Sequence, residues 1–486
     1  MGNCVILTLV FFIHQTNFYF VKEYCYMKII VVGCGKIGSQ IVATLAHEGH
    51  NVVAVDENPA VVDSITNIYD VMGVCGGGAD CEVLAEAGVD KAELFISAAG
   101  SDELNMLSCF IAKRMGAKHT IARIRNPHYN DKSLNFMREN LGLAMAINPE
   151  LLAAHEIFNI LKIPAAAKIE SFSRRHFEMI ELNVKDGYPF VGLPVAEIRN
   201  KYSANFIICA VQRGDKTYIP DGNFTIKSGD RIALAAAHLQ IQKLLKEMGL
   251  LRKQAKNIMI LGGSRTSIYL AKMLTSVGNS VKIIEKSGEK CSELNDSLAK
   301  AVIVHGDGAS QELLLEEGLH QMDAFIALTG MDEVNILMSI FASTNEIGKV
   351  ISKINTEELT SVAKKLGLDS LISPKKAVSD VIVRYARALK ETMESNIETL
   401  YSFLDGTVEA LEFKVSHDSK LIGIPIYKLN LKKGILIAGI IRNRKPIIPT
   451  GNDTFIPGDR VVVIAADHHL SEFADIVKHP IIRETV

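Results

Sequence analysis

Near the start of the chain, Gly33-Cys34-Gly35-Lys36-Ile37-Gly38 carries the spacing G-x-G-x-x-G. That spacing suits a pyrophosphate. The first glycine permits a tight turn, the second lets the backbone approach the phosphates, and the third lets a helix pack closely on a strand. Free N–H groups at the helix start then face the phosphate oxygens. The motif alone is weak, and its surroundings decide. Here it follows the apolar run 29–32, opens a helical pattern, and is followed 18 residues after Gly38 by Asp56, which ends a second apolar run. An acid at that point accepts hydrogen bonds from the adenosine ribose and repels a 2′-phosphate, which favours NAD(H) over NADP(H). Ala99-Gly100 ends a later strand, where ligands lie in doubly wound sheets. Arg123 ends the next strand and is read as balancing pyrophosphate charge, with a surface ion pair as the alternative.

Catalytic chemistry has no comparable constellation. A nicotinamide-dependent oxidoreductase needs an acid or base near the reacting ring. Of fourteen histidines, His47 and His50 flank a helix end, and His119, His155 and His176 are isolated and read as structural. The eight cysteines, at 4, 25, 34, 75, 81, 109, 209 and 291, form no Cys-x-x-Cys pair, so neither a zinc site nor a disulfide framework is indicated and a reducing compartment is expected. No Ser-His-Asp order and no phosphate-loop Lys-Ser/Thr is present. No catalytic residue and no metal ligand is assigned. Sensing is the favoured reading; an oxidoreductase of a small substrate and a scaffold that no longer binds nucleotide are the rivals.

These residues need elements to hold them. Residues 29–32 read as a strand buried on both faces, and Ile37, Ile41, Val42 and Leu45 recur at helical spacing up to Gly49. Strands are expected at 51–55, 70–74, 94–98 and 120–123, with a helix at 60–68. Such alternation requires right-handed crossovers and a parallel sheet. The whole pattern then returns. Lys28-Ile-Ile-Val-Val-Gly33 lines up with Asn257-Ile-Met-Ile-Leu-Gly262, and Asp56 with Glu285, both 229 residues on. Phe95-Ile-Ser-Ala-Ala-Gly-Ser-Asp-Glu matches Phe325-Ile-Ala-Leu-Thr-Gly-Met-Asp-Glu at 230, and Ser228-Gly-Asp-Arg matches Pro457-Gly-Asp-Arg at 229. The second copy keeps Gly262 but has Ser264 and Ser267 where the other glycines belong, and Lys353 in place of Arg123. A side chain at the second glycine obstructs the pyrophosphate.

Between the Rossmann-type units, 176–236 and 409–466 show short alternating strands, Gly- and Pro-rich turns and, at 195–202, a helix. Modules of that size are expected to need a partner surface. Residues 149–161 and 374–400 read as helical connectors. The fold class expected is α/β, with two doubly wound parallel-sheet domains at 27–147 and 255–372, each followed by a small α/β domain, at 167–249 and 397–477. Over 486 residues, 48% hydrophobic and 22% charged content argues against disorder, and a net charge of −2 gives no basic face for nucleic acid. The extension 1–26 has an apolar start interrupted by His14, Gln15 and Asn17, short of a membrane span, and lacks the basic start of a signal peptide. Its Met-Gly-Asn-Cys has Ile6 where an acylation site wants Ser or Thr, so Met27 is read as the working start.

From Met27 onward the chain resembles the regulators of potassium conductance (RCK), in the tandem form found in the peripheral subunits of Trk-type potassium-uptake systems. The match is carried by Met27-Lys-Ile-Ile-Val-Val-Gly-Cys-Gly-Lys-Ile-Gly, Ser101-Asp-Glu-Leu-Asn, Ile121-Ala-Arg-Ile-Arg-Asn-Pro-His-Tyr, and both Pro-x-Gly-Asn and Gly-Asp blocks. The resemblance implies NAD(H) binding at Gly33, Cys34, Gly35, Lys36, Ile37 and Gly38, with Asp56, Ala99, Gly100 and Arg123. In the second copy it implies Gly262, Gly263, Ser264, Arg265 and Thr266, with Glu285, Thr329, Gly330 and Lys353. It further implies a homo-tetrameric gating ring at the cytoplasmic face of the cell membrane, docked on a membrane-embedded K⁺ channel or transporter subunit. ATP or ADP would exchange with NAD(H) in that ring.

Overall fold

The computed structural model describes residues 27–126, 129, 131–173, 176–250, 255–390, 397–466, 468, 470 and 472–478. The expectations for 1–26, for Pro127 and His128, and for 391–396 of the second connector lie outside the described residues.

Apolar runs cut short by glycine or a charged residue form the first sheet: β1 (Lys28–Val32), β2 (Asn51–Asp56), β3 (Met72–Cys75), β4 (Leu94–Ser97), β5 (His119–Arg123) and β6 (Met145–Ile147). All six are parallel, in the order β3-β2-β1-β4-β5-β6, with Lys28 paired to Asn51 and Ile29 to Leu94. Helices α1 (Gly38–His47), α2 (Pro59–Tyr69), α3 (Cys81–Glu86), α4 (Asp102–Met115) and α5 (Asp131–Leu141) connect them. The strand order reverses between β1 and β4, which opens a crevice at their carboxyl ends. Strand β6 is three residues long with only Ile147 buried, too short a pattern to be read as a strand from sequence.

The connector α6 (Pro149–Lys162) leads into a five-stranded antiparallel sheet of β7 (Lys168–Phe172), β8 (Phe177–Asn183), β9 (Phe206–Arg213), β10 (Lys216–Tyr218) and β11 (Arg231–Ala237), ordered β10-β9-β11-β8-β7. It carries α7 (Val195–Lys201) and α8 (His238–Glu247).

The second Rossmann unit repeats the first, with β12 (Asn257–Leu261), β13 (Ser280–Glu285), β14 (Val302–His305), β15 (Ala324–Ala327), β16 (Lys349–Lys353) and β17 (Leu371–Ile372) in the order β14-β13-β12-β15-β16-β17. Its helices are α9 (Arg265–Ser276), α10 (Gly288–Ser297), α11 (Gln311–Glu316), α12 (Asp332–Thr344) and α13 (Glu357–Lys365). After the connector α14 (Pro374–Lys390), the last sheet holds β18 (Ile397–Phe403), β19 (Val408–Lys414), β20 (Ile435–Arg442), β21 (Lys445–Ile447) and β22 (Arg460–Ala466), ordered β18-β19-β22-β20-β21. One expectation needs correction here. Residues 397–400, read as the end of a helical connector, begin β18 instead, because Leu400 and Phe403 bury against β19 and the opposite small sheet.

The connectors are exchanged between the two Rossmann units. Ala153, Ala154, Ile157, Ile160 and Leu161 of α6 form one helical stripe, and it packs on Ile258, Ile260, Leu270 and Leu274 of the second unit. Val378, Ile382, Val383 and Ala386 of α14 pack on Ile29, Val31, Ile41 and Leu45 of the first. A fully buried Ile or Leu contributes about 1.5–3 kcal/mol, so separating the units would expose two stripes that neither can cover alone. Asn148 caps α6 ahead of Pro149, accepting from the Leu151 N–H, and donates to the Tyr269 hydroxyl at 2.9 Å. The small sheets cover each other in the same way. Phe172, Phe177, Ala210 and Ala233 meet Phe403, Ala410, Ala438 and Val462 in a shared core. The partner surface expected for each small module is therefore the other module.

Candidate functional site

The first glycine loop turns at Gly33, whose φ is +80° and where a Cβ would lie 2.4 Å from the Ala99 nitrogen. At Gly38 a Cβ would lie 2.0 Å from the Gly33 carbonyl, so only glycine lets α1 approach the strand this closely. Gly35 between them is exposed, with nothing within 4 Å of a Cβ. The first turn of α1 carries no side-chain cap. Its leading N–H groups, with the positive end of the helix dipole, thus open on the space beside Gly35 and Lys36.

Asp56 has a role that sequence reasoning missed. Its carboxylate accepts from the Cys34 N–H at 2.7 Å and the Asn58 N–H at 2.9 Å, tying the glycine loop to the end of β2. It stays half-exposed, with lone pairs left over for a ribose. Burial, and secondarily the Asp56 charge, push the Cys34 thiol up to about 12, so this cysteine stays protonated at neutral pH.

The far side of the crevice is held by α4. Asn105, fully buried, accepts from the Ala99 N–H at 2.7 Å and donates to the carbonyls of Ala99 and Arg123. Asp102 accepts from the N–H groups of Arg125 and Asn126 at 2.9 and 2.8 Å. These two side chains place Ala99-Gly100 and Arg123 beside each other. Both recur in the repeated block, as Asp332 and Asn335, but the repeat does not say what they hold. Arg123 donates to the Ala99 carbonyl and leaves its buried Nε without a partner. Burial, then the neighbouring Arg125, lowers its pKa from the ordinary arginine value. The part-buried guanidinium lines the crevice, where its charge suits an anion.

The second unit reproduces this framework and closes it. Gly262, at φ +95°, sits against Thr329, and Glu285 accepts from the Gly263 and Ser287 N–H groups at 2.6 and 2.9 Å. Asn335 binds Thr329 and the Lys353 carbonyl as Asn105 binds its counterparts. Asp332 holds Asn355 and Thr356, while Gly330 stays exposed. The difference lies in the serines. Ser264 caps α9 by accepting from the Ser267 N–H at 3.3 Å, and the Ser267 hydroxyl donates to the Gly262 carbonyl at 2.5 Å. Thr266 is buried, and Arg265 is exposed. Burial lowers the pKa of Lys353 despite Asp332 and Glu150 nearby.

Both loops face one cleft of about 1530 Å³ between the units. Lys36, Arg123, Arg125, Arg265, Lys272, Lys290, Lys353 and Lys375 line it against Asp56, Glu57, Glu150, Glu293 and Asp296. The positive excess draws in anions. The shared space arises because α6 and α14 set the units face to face. No histidine or tyrosine is among the described residues lining the cleft. His47 ends α1, His119 contacts Tyr385, His155 lies on α6, and His176 contacts the Ser173 carbonyl. Cys34, Cys109, Cys209 and Cys291 are buried free thiols, and Cys75 and Cys81 are exposed ones. Among the described residues no His, Cys, Asp and Glu cluster is placed to hold a metal, and no helix is long and apolar enough to cross a membrane.

Comparison with known proteins gives the same architecture. The TrkA-N domain family matches residues 29–149 and 258–374, and the TrkA-C domain family residues 179–249 and 410–478. The chain is similar to a Trk system potassium uptake protein TrkA homolog of Archaeoglobus fulgidus, 30% identical over 453 residues, covering 93% of this chain and 100% of that one. It is also 30% identical over 454 residues to TrkA homolog 1 of Methanosarcina mazei, covering 92% and 99%. Among solved structures, the GsuK RCK domain superposes with a TM-score of 0.59 at 19% identity, covering 92% of this chain and 93% of that one. The GsuK channel bound to NAD gives 0.59 at 19%, covering 92% and 78%. At such identity the structural likeness speaks to fold alone.

Proposed function

The chain belongs to the TrkA family, with TrkA-N and TrkA-C domains twice in tandem, and from that premise we propose that it is the nucleotide-sensing regulatory subunit of a Trk-type potassium-uptake system. TrkA-type domains are regulatory rather than catalytic modules, which leaves the oxidoreductase reading without support. The sensor is the first Rossmann unit, and its ligand is NAD(H), with ATP or ADP as competing occupants. One observation carries this reading: the first glycine loop presents an uncapped helix start to a cationic cleft. In it, Gly33, Gly35 and Gly38 give the backbone its approach to a pyrophosphate, and Cys34, Lys36 and Ile37 complete the loop. Asp56 receives the ribose hydroxyls. Ala99 and Gly100 border the far side, and the Arg123 guanidinium brings positive charge to the cleft wall for phosphate.

The second unit, with Gly262 to Thr266, Glu285, Thr329, Gly330 and Lys353, forms the opposite wall. Its Arg265 and Lys353 add positive charge facing the same ligand. A ligand that binds one arrangement of the two walls better than another shifts the chain toward it by that difference in affinity and no more. Four such chains form a ring at the cytoplasmic face of the membrane, and the ring's shape gates the K⁺-conducting partner. The relatives' role in potassium uptake supports that partner.

The test is K⁺ uptake by a reconstituted system carrying Asp56→Ala. The response to NADH is expected to be lost while ring assembly persists. An unchanged response with intact assembly contradicts the proposal.

A further inference from the structure

Helix α1 begins at the glycine loop and runs for ten residues, about 15 Å, away from it. At its far end stands Glu48. Both carboxylate oxygens of Glu48 receive hydrogen bonds from Arg387 of α14, from Nε at 2.8 Å and from a terminal nitrogen at 2.7 Å. The other edge of the same guanidinium binds Glu409 of β19 at 3.0 and 2.9 Å. Arg387 and Glu409 are buried, at 9% and 8% exposure. One planar cation therefore joins the end of the sensing helix, the connector exchanged from the second unit, and a central strand of the second small module. A guanidinium is suited to this because it presents two forked edges in one rigid plane.

Among the described residues, the corresponding positions of the first small module are arranged differently. Residue 277, which follows Glu48 by 229 positions, is a valine 64% exposed at the end of α9. Lys162, 225 positions before Arg387, bonds Asn159 of its own helix. Glu178, the counterpart of Glu409, pairs with His238 of its own module at 2.9 Å. Among the described residues, this three-way joint links the first glycine loop's helix to the second small module.

We propose that Arg387 is the joint through which nucleotide in the first glycine loop acts on the second small module. This rests on the nucleotide reading given above. Ligand drawn onto the leading N–H groups of α1 shifts the helix along its axis. The Glu48 carboxylate moves with it, and the guanidinium carries the displacement to β19, because one rigid plane holds each carboxylate by two hydrogen bonds. Arg387 is a positioning residue: it touches no ligand.

Hydrogen exchange on the full chain, with and without NADH, tests this. In the native chain NADH is expected to slow exchange at residues 33–41 and also in β19, by about fivefold or more, the lower end of typical allosteric couplings. Arg387→Lys keeps the charge but cannot fork two carboxylates, and Glu409→Gln keeps the shape but not the charge. Both variants are expected to retain the NADH response at 33–41 and lose it in β19. A retained β19 response in both overturns the proposal. A ligand-free arm guards against confusion with the nucleotide reading: Glu409→Gln alone is expected to speed exchange at residues 46–50, and no change there overturns the joint. Absence of protection at 33–41 even in the native chain overturns the nucleotide reading and, with it, this one.

Discussion

At Gly38 a Cβ would lie 2.0 Å from the Gly33 carbonyl, whereas 229 residues later Ser267 carries its Cβ and turns its hydroxyl onto the equivalent carbonyl of Gly262. Upstream of each, Gly35 leaves the helix start bare, while Ser264 caps it. The two loops otherwise share their frame. Asp56 and Glu285 tie them to the second strand, and Asn105 and Asn335 build the facing wall. A helix N-terminus is an anion site only while its N–H groups are unspent. Two hydroxyls spend the Ser267 N–H and fill the turn of the second unit, so the duplicated chain holds one bare loop and one partly capped across a shared cleft.

The most severe way to break this contrast is to write the second loop into the first. Gly35→Ser with Gly38→Ser is expected to weaken NADH binding by about 100-fold or more, since hydrogen bonds to charged groups contribute about 1.5–3 kcal/mol each. Calorimetric titration reads it, and unchanged affinity would show that the serines are not what separates the loops. The reverse exchange, Ser264→Gly with Ser267→Gly, sharpens the contrast. Glycine at the cap costs only a few tenths of a kcal/mol and glycine within the helix about 0.5–1 kcal/mol, so the second unit is expected to lose about 1 kcal/mol in denaturant melts, and the same titration is expected to reveal a second, weaker NADH site.

A smaller effect sits in the connectors. Burial first, then Glu170 and Asp380 against Lys168, pushes the Glu156 carboxyl on α6 up to about 7. The corresponding position on α14 is Val381. Because the folded value lies above the unfolded one, stabilisation by this group is full below its unfolded pKa and is lost as pH rises through about 7. Glu156→Gln is expected to be more stable than the native chain at pH 8 and equally stable at pH 4. Thermal melts across that range check it, and an equal difference at both ends would refute it.

Much of this architecture is legible in the amino-acid sequence. Apolar runs such as residues 29–32 with their glycine stops mark the parallel strands, and the 229-residue register exposes the duplication. The loss of two glycines at Ser264 and Ser267 signals the unequal loops, though not that the serines bond each other. What stays hidden depends on long-range packing. The stripe of Ala153, Ile157 and Ile160 says that α6 buries a face, but not that the face belongs to the other unit. That exchange creates the common cleft and the Arg387 joint. Asp102 and Asn105 look like ordinary helix residues until β5 is brought beside them. Strand β18 merges into the connector pattern because no glycine or proline stands between Lys390 and Ile397 to mark the change.

The central claim is that one of the two nucleotide loops is open. Titration of the native chain with NADH, monitored by calorimetry and repeated with Gly38→Ser, tests it most directly. The expected result is one NADH per chain, weakened by about tenfold or more by that substitution. Two equivalent sites per chain, or one site whose affinity Gly38→Ser leaves unchanged, would contradict it.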